Sequence, residues 1–214
     1  MSITELAPAK LNLTLDVGAR RPDGYHEITS VMQSAALYDV VTLETVETDD
    51  IVVECPGTDL PTGPDNLAWK AADVFFRETN IPHTGIFIRL EKKIPSQAGL
   101  GGGSSDAAAV LRGMRRLFSA NVSDEALETM AARVGSDVPY CVRGGTALAR
   151  GRGERLTALS PLPMCWFVIV KPPVAHSTAV MFRKLDEIAI ANCPDSDAMA
   201  KALEIGDLAH ICRL

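Results

Sequence analysis

The sequence predicts an α+β protein, because strand patterns and amphipathic helix patterns both occur within its 214 residues. Residues 11–17 alternate apolar and polar side chains, which is the pattern of a half-buried strand. One long segment instead places apolar side chains on a single helical face, at Ala107, Val110, Leu111, Met114, Leu117 and Phe118. Hydrophobic residues make up 47% of the chain and charged residues 22%, which is the composition of a globular protein.

The remaining elements follow from apolar runs that lie between turn-forming residues. Further strands are predicted at 39–46, 51–55, 85–90, 146–150 and 165–170, the last of them buried because it is apolar throughout. Helices are predicted from Asp65 or Asn66 onward, from the glycine-rich stretch to about Phe118, from Asn121 to Gly135, and at 177–185 and 197–203. The proline-containing segment 160–163 predicts a boundary between domains at 1–160 and 161–214.

The charge balance limits the partners of this protein. A formal net charge of −6 argues against binding to nucleic acid, which needs a basic surface. An acidic protein that binds an anionic nucleotide must therefore supply local donors, such as backbone amides, a helix N-terminus or a few lysines. The N-terminus has no apolar leader and no run is long enough to cross a bilayer, so we expect a cytoplasmic protein without membrane partners.

The cysteines and histidines do not indicate a metal centre. The 5 cysteines are odd in number and form no C-x-x-C pair, which predicts reduced thiols. The 4 histidines lack the spacing of metal-ligand motifs, so no structural zinc is expected.

A glycine-rich stretch at 95–105, PSQAGLGGGSS, lies between a predicted strand and a predicted helix. Glycines allow backbone amides to approach a ligand closely, and the helix N-terminus adds partial positive charge. The stretch therefore predicts a polyphosphate site. It is neither a P-loop, because no lysine follows the glycines, nor a G-x-G-x-x-G dinucleotide loop. It also lacks the G-x-S-x-G pattern of serine hydrolases.

This stretch resembles the second motif of the GHMP kinases, a family of small-molecule kinases. Residues 8–12, PAKLN, resemble the first family motif, and residues 135–139, GSDVP, resemble the motif that carries the catalytic aspartate. The resemblance runs from about residue 7 to 208 and implies a two-domain GHMP kinase fold that uses ATP and Mg²⁺. The nucleotide-binding residues it implies are Asn66, Lys92, Pro95, Gly99, Leu100, Gly101, Gly102, Gly103, Ser104 and Ser105.

The resemblance also implies the residues that would carry out the chemistry. Asp137 would accept the proton of an acceptor hydroxyl, and Lys10 would orient that hydroxyl and pair with the carboxylate. Phosphoryl transfer asks mainly for such positioning and charge neutralisation.

A further motif indicates the acceptor. Residues 21–26, RPDGYH, resemble a motif of the branch of the family whose acceptor alcohol carries a cytidine diphosphate group. The resemblance places cytosine between the rings of Tyr25 and Phe182, with His26 near its polar edge and Asn12 near the polyol end. Stacking on aromatic rings is favourable by about 1–3 kcal/mol per base.

The family carries a third glycine-rich motif that is absent after Leu208, so we expect an incomplete second domain and weak or absent turnover. A fragment of a longer protein is favoured over a naturally short protein or an omitted tail. Two alternative functions remain open: a GHMP kinase with another small alcohol acceptor, such as homoserine, mevalonate or a sugar, and a non-catalytic nucleotide-binding fragment. The protein is expected to be a monomer or a homodimer.

Overall fold

The structure is a computed structural model that describes residues 1–79, 81–82, 85–172, 178–187 and 193–214. Its elements, in chain order, are strands β1 (Ser2–Arg20), β2 (His26–Val46) and β3 (Ile51–Glu54), helix α1 (Leu67–Glu78), strand β4 (Gly85–Glu91), helices α2 (Gly102–Leu117), α3 (Asp124–Val134) and α4 (Val138–Arg143), strands β5 (Thr146–Gly151) and β6 (Arg155–Ala158), and helices α5 (Thr178–Leu185), α6 (Ser196–Ile205) and α7 (Leu208–Ile211). Helices and strands both occur, in runs rather than in strict alternation, which confirms the α+β class.

The chain forms two compact units whose segments are interleaved. The first unit contains Met1–Lys10, Ala35–Ser96 and Gly101–Arg143, and the second contains Leu11–Ser34, Gln97–Leu100 and Gly144–Leu214. The long strands β1 and β2 each contribute residues to both units. The sequential boundary between residues 160 and 161 stays a prediction.

In the described residues of the first unit, the four helices α1 to α4 accompany a small sheet. The second half of β2 pairs antiparallel with β4, and β4 pairs parallel with β3. Helix α2 packs closely against β2: a Cβ placed on Gly113 would lie 2.2 Å from the Leu43 side chain. Only glycine permits this approach, which lets the alanine-rich face of α2 be buried.

The second unit has its own apolar core. The first half of β2 pairs antiparallel with β5, and β5 pairs with β6. Helix α6 packs Met199 and Leu203 against Val31 and Leu148. The helix begins at Asp195, whose side chain accepts a hydrogen bond from the Ala198 amide, as expected for an N-terminal cap.

Most predicted elements lie where the pattern placed them. Asn66 is the cap of α1, because its side chain accepts from the Ala68 amide. Gly135 ends α3, and Phe118 ends α2. The strands at 2–10 and 26–38 and the elements β6, α4 and α7 were not predicted. Helix α5 begins at Thr178, and Ser177, where the helix was predicted to start, lies outside the described residues.

The predicted buried strand at 165–170 is wrong. These described residues form no strand, and Trp166 is 96% exposed and Val168 91% exposed. The intervening Phe167 and Ile169 are only about half as exposed, at 42% and 40%. A strand needs a neighbour to satisfy its backbone groups, and no strand in the described ranges pairs with this segment.

Candidate active site

The two predicted catalytic residues meet in the first unit. Lys10 lies in β1 and Asp137 lies in the short connection between α3 and α4. The Lys10 Nζ atom is 3.0 Å from Asp137 Oδ2, and the two side chains are 8% and 30% exposed. The pair thus combines a buried cation with a carboxylate that remains accessible. The roles of both residues stay predictions.

The N-terminus of α2 offers backbone amides to an anion. Gly101 precedes the helix in the left-handed conformation, at φ 66°, and no side chain in the described part of the chain caps it. The first amides of a helix have no partner within the helix itself, and they lie at its partially positive end. We call the amides of residues 101–104 the phosphate cradle, because the family resemblance predicts that they bind phosphate.

Glycine at position 101 also brings the phosphate cradle close to Lys10. A Cβ at this position would lie 2.6 Å from the Lys10 Cγ atom, so any other residue would displace the Lys10 side chain. The backbone at Gly101 and the stem of Lys10 are therefore packed directly against each other.

The predicted nucleotide-binding residues differ in their surroundings. Pro95, Gly99 and Gly103 are exposed, Gly101, Gly102 and Ser104 are partly buried, and Leu100 and Ser105 are buried. The Ser105 hydroxyl donates to the Pro8 carbonyl oxygen at 2.7 Å, which ties α2 to β1. Asn66 is likewise engaged, since its amide nitrogen donates to the Pro61 carbonyl oxygen at 2.7 Å. The structure thus gives these two side chains packing and capping contacts, and their contact with nucleotide stays a prediction.

Lys92 lies next to the phosphate cradle, in a buried cluster of charges that the sequence analysis missed. Its ammonium group donates to Asp39 Oδ2 and to Asp106 Oδ2. A Cβ on Gly102 would lie 3.5 Å from Lys92 Nζ, so the ammonium lies beside the first residue of α2. We call Lys92, Asp39 and Asp106 the Lys92 cluster. The sequence did carry one signal that Asp106 is buried. Asp106 precedes Val110 by four residues, so it falls on the apolar face of α2.

The Lys92 cluster shifts the titration of its members. Burial raises the pKa of Asp106 to about 7, and the charge of Asp39 adds to this rise, although Lys92 opposes it. Burial acts to lower the pKa of Lys92, but the carboxylates of Asp106 and Asp39 together raise it above its ordinary value. Lys92 is therefore a cation at neutral pH, whereas Asp106 exchanges a proton there.

The predicted acceptor residues lie in the second unit. The His26 ring lies 5.5 Å from the Phe182 ring between centroids. Its Nδ1 atom is 3.0 Å from the Gly18 carbonyl oxygen, and its Nε2 atom is 3.2 Å from Asp186 Oδ1. The His26 ring is thus held in a fixed orientation by two acceptors.

Tyr25 and Asn12 complete the predicted acceptor residues. The Tyr25 ring is 53% exposed, and the guanidinium carbon of Arg152 lies 5.1 Å from its centroid. Asn12 Oδ1 accepts a hydrogen bond from the Ser30 hydroxyl at 3.2 Å. Arg152 and the Asp186 partner of His26 were not predicted, because neither lies in a motif that the sequence analysis used.

Two properties of the described residues concern metal binding and membrane insertion. No group of three or more histidine, cysteine, aspartate and glutamate residues in the described ranges is arranged to hold a metal ion. Within the same ranges, every helix is too short or too polar to span a bilayer.

Known proteins are similar to this chain in sequence. The family description "GHMP kinases N terminal domain" matches residues 66–145. A 4-diphosphocytidyl-2-C-methyl-D-erythritol kinase of Enterococcus faecalis (strain ATCC 700802 / V583) is 46% identical over 209 residues, which are 97% of this chain and 72% of that relative. The kinase of the same name from Bacillus subtilis (strain 168) is 43% identical over 212 residues, which are 99% of this chain and 73% of that relative.

Solved structures share the fold. The crystal structure of a 4-(cytidine 5'-diphospho)-2C-methyl-D-erythritol kinase superposes with a TM-score of 0.74 and 37% identity, over 95% of this chain and 72% of that chain. A homoserine kinase from Cytophaga hutchinsonii ATCC 33406 reaches a TM-score of 0.72 over 99% of this chain and 70% of that chain. Because the homoserine kinase is only 19% identical, it shows a common fold and nothing more.

The fold and the motifs together define a GHMP kinase, as the resemblance implied. Within that class, identities above 40% over nearly the whole chain place it in one branch. The chain belongs to the 4-diphosphocytidyl-2-C-methyl-D-erythritol kinase family.

Proposed function

We propose that this chain transfers the γ-phosphoryl group of ATP to the 2-hydroxyl of 4-diphosphocytidyl-2-C-methyl-D-erythritol, a step of non-mevalonate isoprenoid precursor biosynthesis. The observation that carries the proposal is the Lys10–Asp137 ion pair beside the phosphate cradle, in a member of this kinase family. The reaction forms a bond between the acceptor oxygen and phosphorus, breaks the bond to the leaving ADP, and releases the hydroxyl proton.

Asp137 would receive that proton. Its carboxylate is partly exposed, so an acceptor hydroxyl can reach it, and a positioned carboxylate is a common general base. Lys10 holds the carboxylate on one side through the 3.0 Å contact and leaves its other oxygen for the incoming hydroxyl. The ammonium group also supplies positive charge close to the first turn of α2, where negative charge would develop on the phosphate oxygens during transfer.

The phosphate cradle would hold the phosphates of ATP. Glycine at positions 101 to 103 places no side chain beside these amides, and Gly101 starts the helix with a left-handed backbone. The uncapped amides fit a polyphosphate. Magnesium would come with the nucleotide, bound to its phosphates and neutralising part of their charge. Asn66, Lys92, Pro95, Gly99, Leu100, Ser104 and Ser105 complete the proposed nucleotide site.

The acceptor's cytosine would bind in the second unit. The exposed Tyr25 ring and the Phe182 ring offer apolar faces for stacking, and His26 lies beside the Phe182 ring, where the polar edge of the base would approach. Asn12 would contact the polyol end. We further propose that the protein acts in the cytoplasm on this small-molecule substrate, as a monomer or a homodimer, without nucleic acid as a partner.

A turnover assay tests the proposal. The chain is incubated with Mg-ATP and 4-diphosphocytidyl-2-C-methyl-D-erythritol while ADP release is followed, with Asp137→Ala as the inactive control. Homoserine and mevalonate serve as competing acceptors. We expect weak ADP release that depends on the cytidine-containing acceptor and disappears in Asp137→Ala.

The same tubes distinguish the alternatives. Release with homoserine or mevalonate but not with the cytidine compound would contradict the acceptor assignment. Binding of the cytidine compound and of ATP without ADP release would favour a nucleotide-binding protein without turnover.

A further inference from the structure

The Lys92 cluster contains one cation and two carboxylates in a buried place. The side chains of Lys92, Asp39 and Asp106 are 8%, 0% and 3% exposed. With both carboxylates ionised, the cluster would carry one net negative charge. A buried net charge is costly, so the cluster gains stability when one carboxyl group keeps a proton.

The two aspartates are not equivalent. Asp39 Oδ2 accepts from Lys92, and Asp39 Oδ1 accepts from the backbone amides of Lys93 and Ile94. Asp106 Oδ2 also accepts from Lys92, but its buried Oδ1 has no hydrogen-bond partner among the described residues. An ionised carboxylate needs donors at both oxygens, and only Asp39 has them. The proton of the Lys92 cluster therefore belongs on Asp106.

The position of the Lys92 cluster connects this proton to the phosphate cradle. Asp106 lies in α2, four residues after Gly102, and the Lys92 ammonium lies beside Gly102. A charge in this dry region acts on a neighbouring phosphate through protein rather than through water, so it is weakly screened. The protonation state of Asp106 thus sets the charge that a bound polyphosphate meets behind the helix N-terminus.

We propose that Asp106 is a positioning residue for the nucleotide, which acts through Lys92. With a proton on Asp106, the Lys92 cluster is neutral and the Lys92 ammonium supports the phosphate cradle from behind. Without that proton, the net negative charge opposes the phosphates. ATP therefore binds preferentially to the protonated form and takes up a proton as it binds. The inference rests on the proposed function, because it requires ATP on the first turn of α2.

The other titratable groups described near Asp106 do not explain a change of ATP affinity with pH around neutrality. Burial raises the pKa of Cys55 above its ordinary value, and burial raises the pKa of Cys141 to about 12. Both thiols are therefore neutral between pH 6 and 8.5. Lys10, whose stem contacts Gly101, is paired with Asp137.

The test measures the dissociation constant of Mg-ATP by calorimetry from pH 6 to 8.5, for the unmodified chain and for Asp106→Asn. Asparagine has the shape of the protonated carboxyl group and cannot ionise. The ratio of the two dissociation constants cancels the titration of the nucleotide itself. We expect a ratio near one at pH 6 that rises roughly tenfold by pH 8.5, because one added charge then opposes the phosphates.

A matched control is Asp124→Asn, which removes a carboxylate from the first turn of α3, where it is exposed. The ratio of its Mg-ATP dissociation constant to that of the unmodified chain should not change with pH. Thermal unfolding of each protein at each pH shows that the titrated protein is folded.

A second measurement needs no variant. In weakly buffered solution at pH 8, where the nucleotide is already fully ionised, ATP binding to the unmodified chain should take up about half a proton per nucleotide, because a roughly tenfold preference for the protonated form leaves Asp106 about half protonated in the complex. A constant ratio, or binding without proton uptake, would overturn this inference alone. Absence of ATP binding at every pH would overturn the proposed function and this inference with it.

Discussion

Two lysine–aspartate sites among the described residues of the first unit differ in their carboxylates and in their exposure. Lys10 pairs with Asp137, which is 30% exposed, whereas Lys92 pairs with two aspartates that are almost fully buried. The carboxylate of the first site is open to a substrate, whereas those of the second site are not. The excess negative charge of the second site is relieved when one carboxyl group keeps a proton. We therefore propose proton transfer at the first site and positioning of the nucleotide at the second.

The largest expected effect comes from removing the charge of Asp137 in the exposed pair. Asp137→Asn should lower the rate of acceptor-dependent ADP release by about 10²-fold to 10⁴-fold, because it removes the base. Affinity for ATP should stay within about threefold, since the carboxylate contacts Lys10 and not the amides of the phosphate cradle. Steady-state kinetics together with ATP titration measure both quantities. A parallel loss of ATP affinity would show that the pair serves nucleotide binding instead.

Removal of the buried cation should destabilise the protein, besides removing the support that Lys92 gives to the phosphate cradle. Lys92→Met leaves Asp39 and Asp106 facing each other without a counter-charge, and breaking a buried ion pair costs about 3–5 kcal/mol of unfolding free energy. Urea denaturation at pH 7 measures the loss. The double variant Lys92→Met/Asp106→Asn should recover part of it, because it removes one of the opposed charges. If the double variant is no more stable than Lys92→Met, the two carboxylates are not in conflict.

The proton on Asp106 predicts a specific dependence of stability on pH. In the folded protein its pKa is raised to about 7, whereas the unfolded chain releases this proton near pH 4. The folded state therefore binds more protons between these values, so the free energy of unfolding falls as pH rises through this window. The unmodified chain should lose on the order of 2 kcal/mol relative to Asp106→Asn between pH 5 and 8. Parallel denaturation curves at the two pH values would contradict this.

The smallest expected effect concerns Gly101, whose backbone packs against the Lys10 side chain. Gly101→Ala and Gly57→Ala both place a side chain at positive φ, at 66° and 72°, which costs about 1–2 kcal/mol. Only Gly101→Ala also collides with Lys10, since nothing lies within 4 Å of a Cβ at Gly57. Gly101→Ala should therefore lower turnover as well as stability, whereas its matched control Gly57→Ala, which lies outside the proposed nucleotide site, should lower stability alone. Equal effects on turnover would show that Lys10 packing is unimportant.

The sequence predicted much of this molecule where the information is local. Residues 95–105 and 135–139 were placed by motif, and Asn66 and Gly135 were placed by helix-end chemistry. The strand predicted at 165–170 was wrong, because an apolar run carries the same pattern whether or not a neighbouring strand is present. Asp39 and Asp106 were missed as partners of Lys92, since they come from distant parts of the chain.

What the sequence determined by itself is therefore the kinase class and the identity of the lysine and aspartate that form the exposed pair. Both followed from a family resemblance that rests on short motifs, each contained in a single segment. Only the tertiary structure decided that Lys92 is buried between two carboxylates, that Ser105 binds the Pro8 carbonyl, and that His26 is held by Asp186. Burial and the charge of neighbours depend on which distant segments pack together, and no local pattern encodes them.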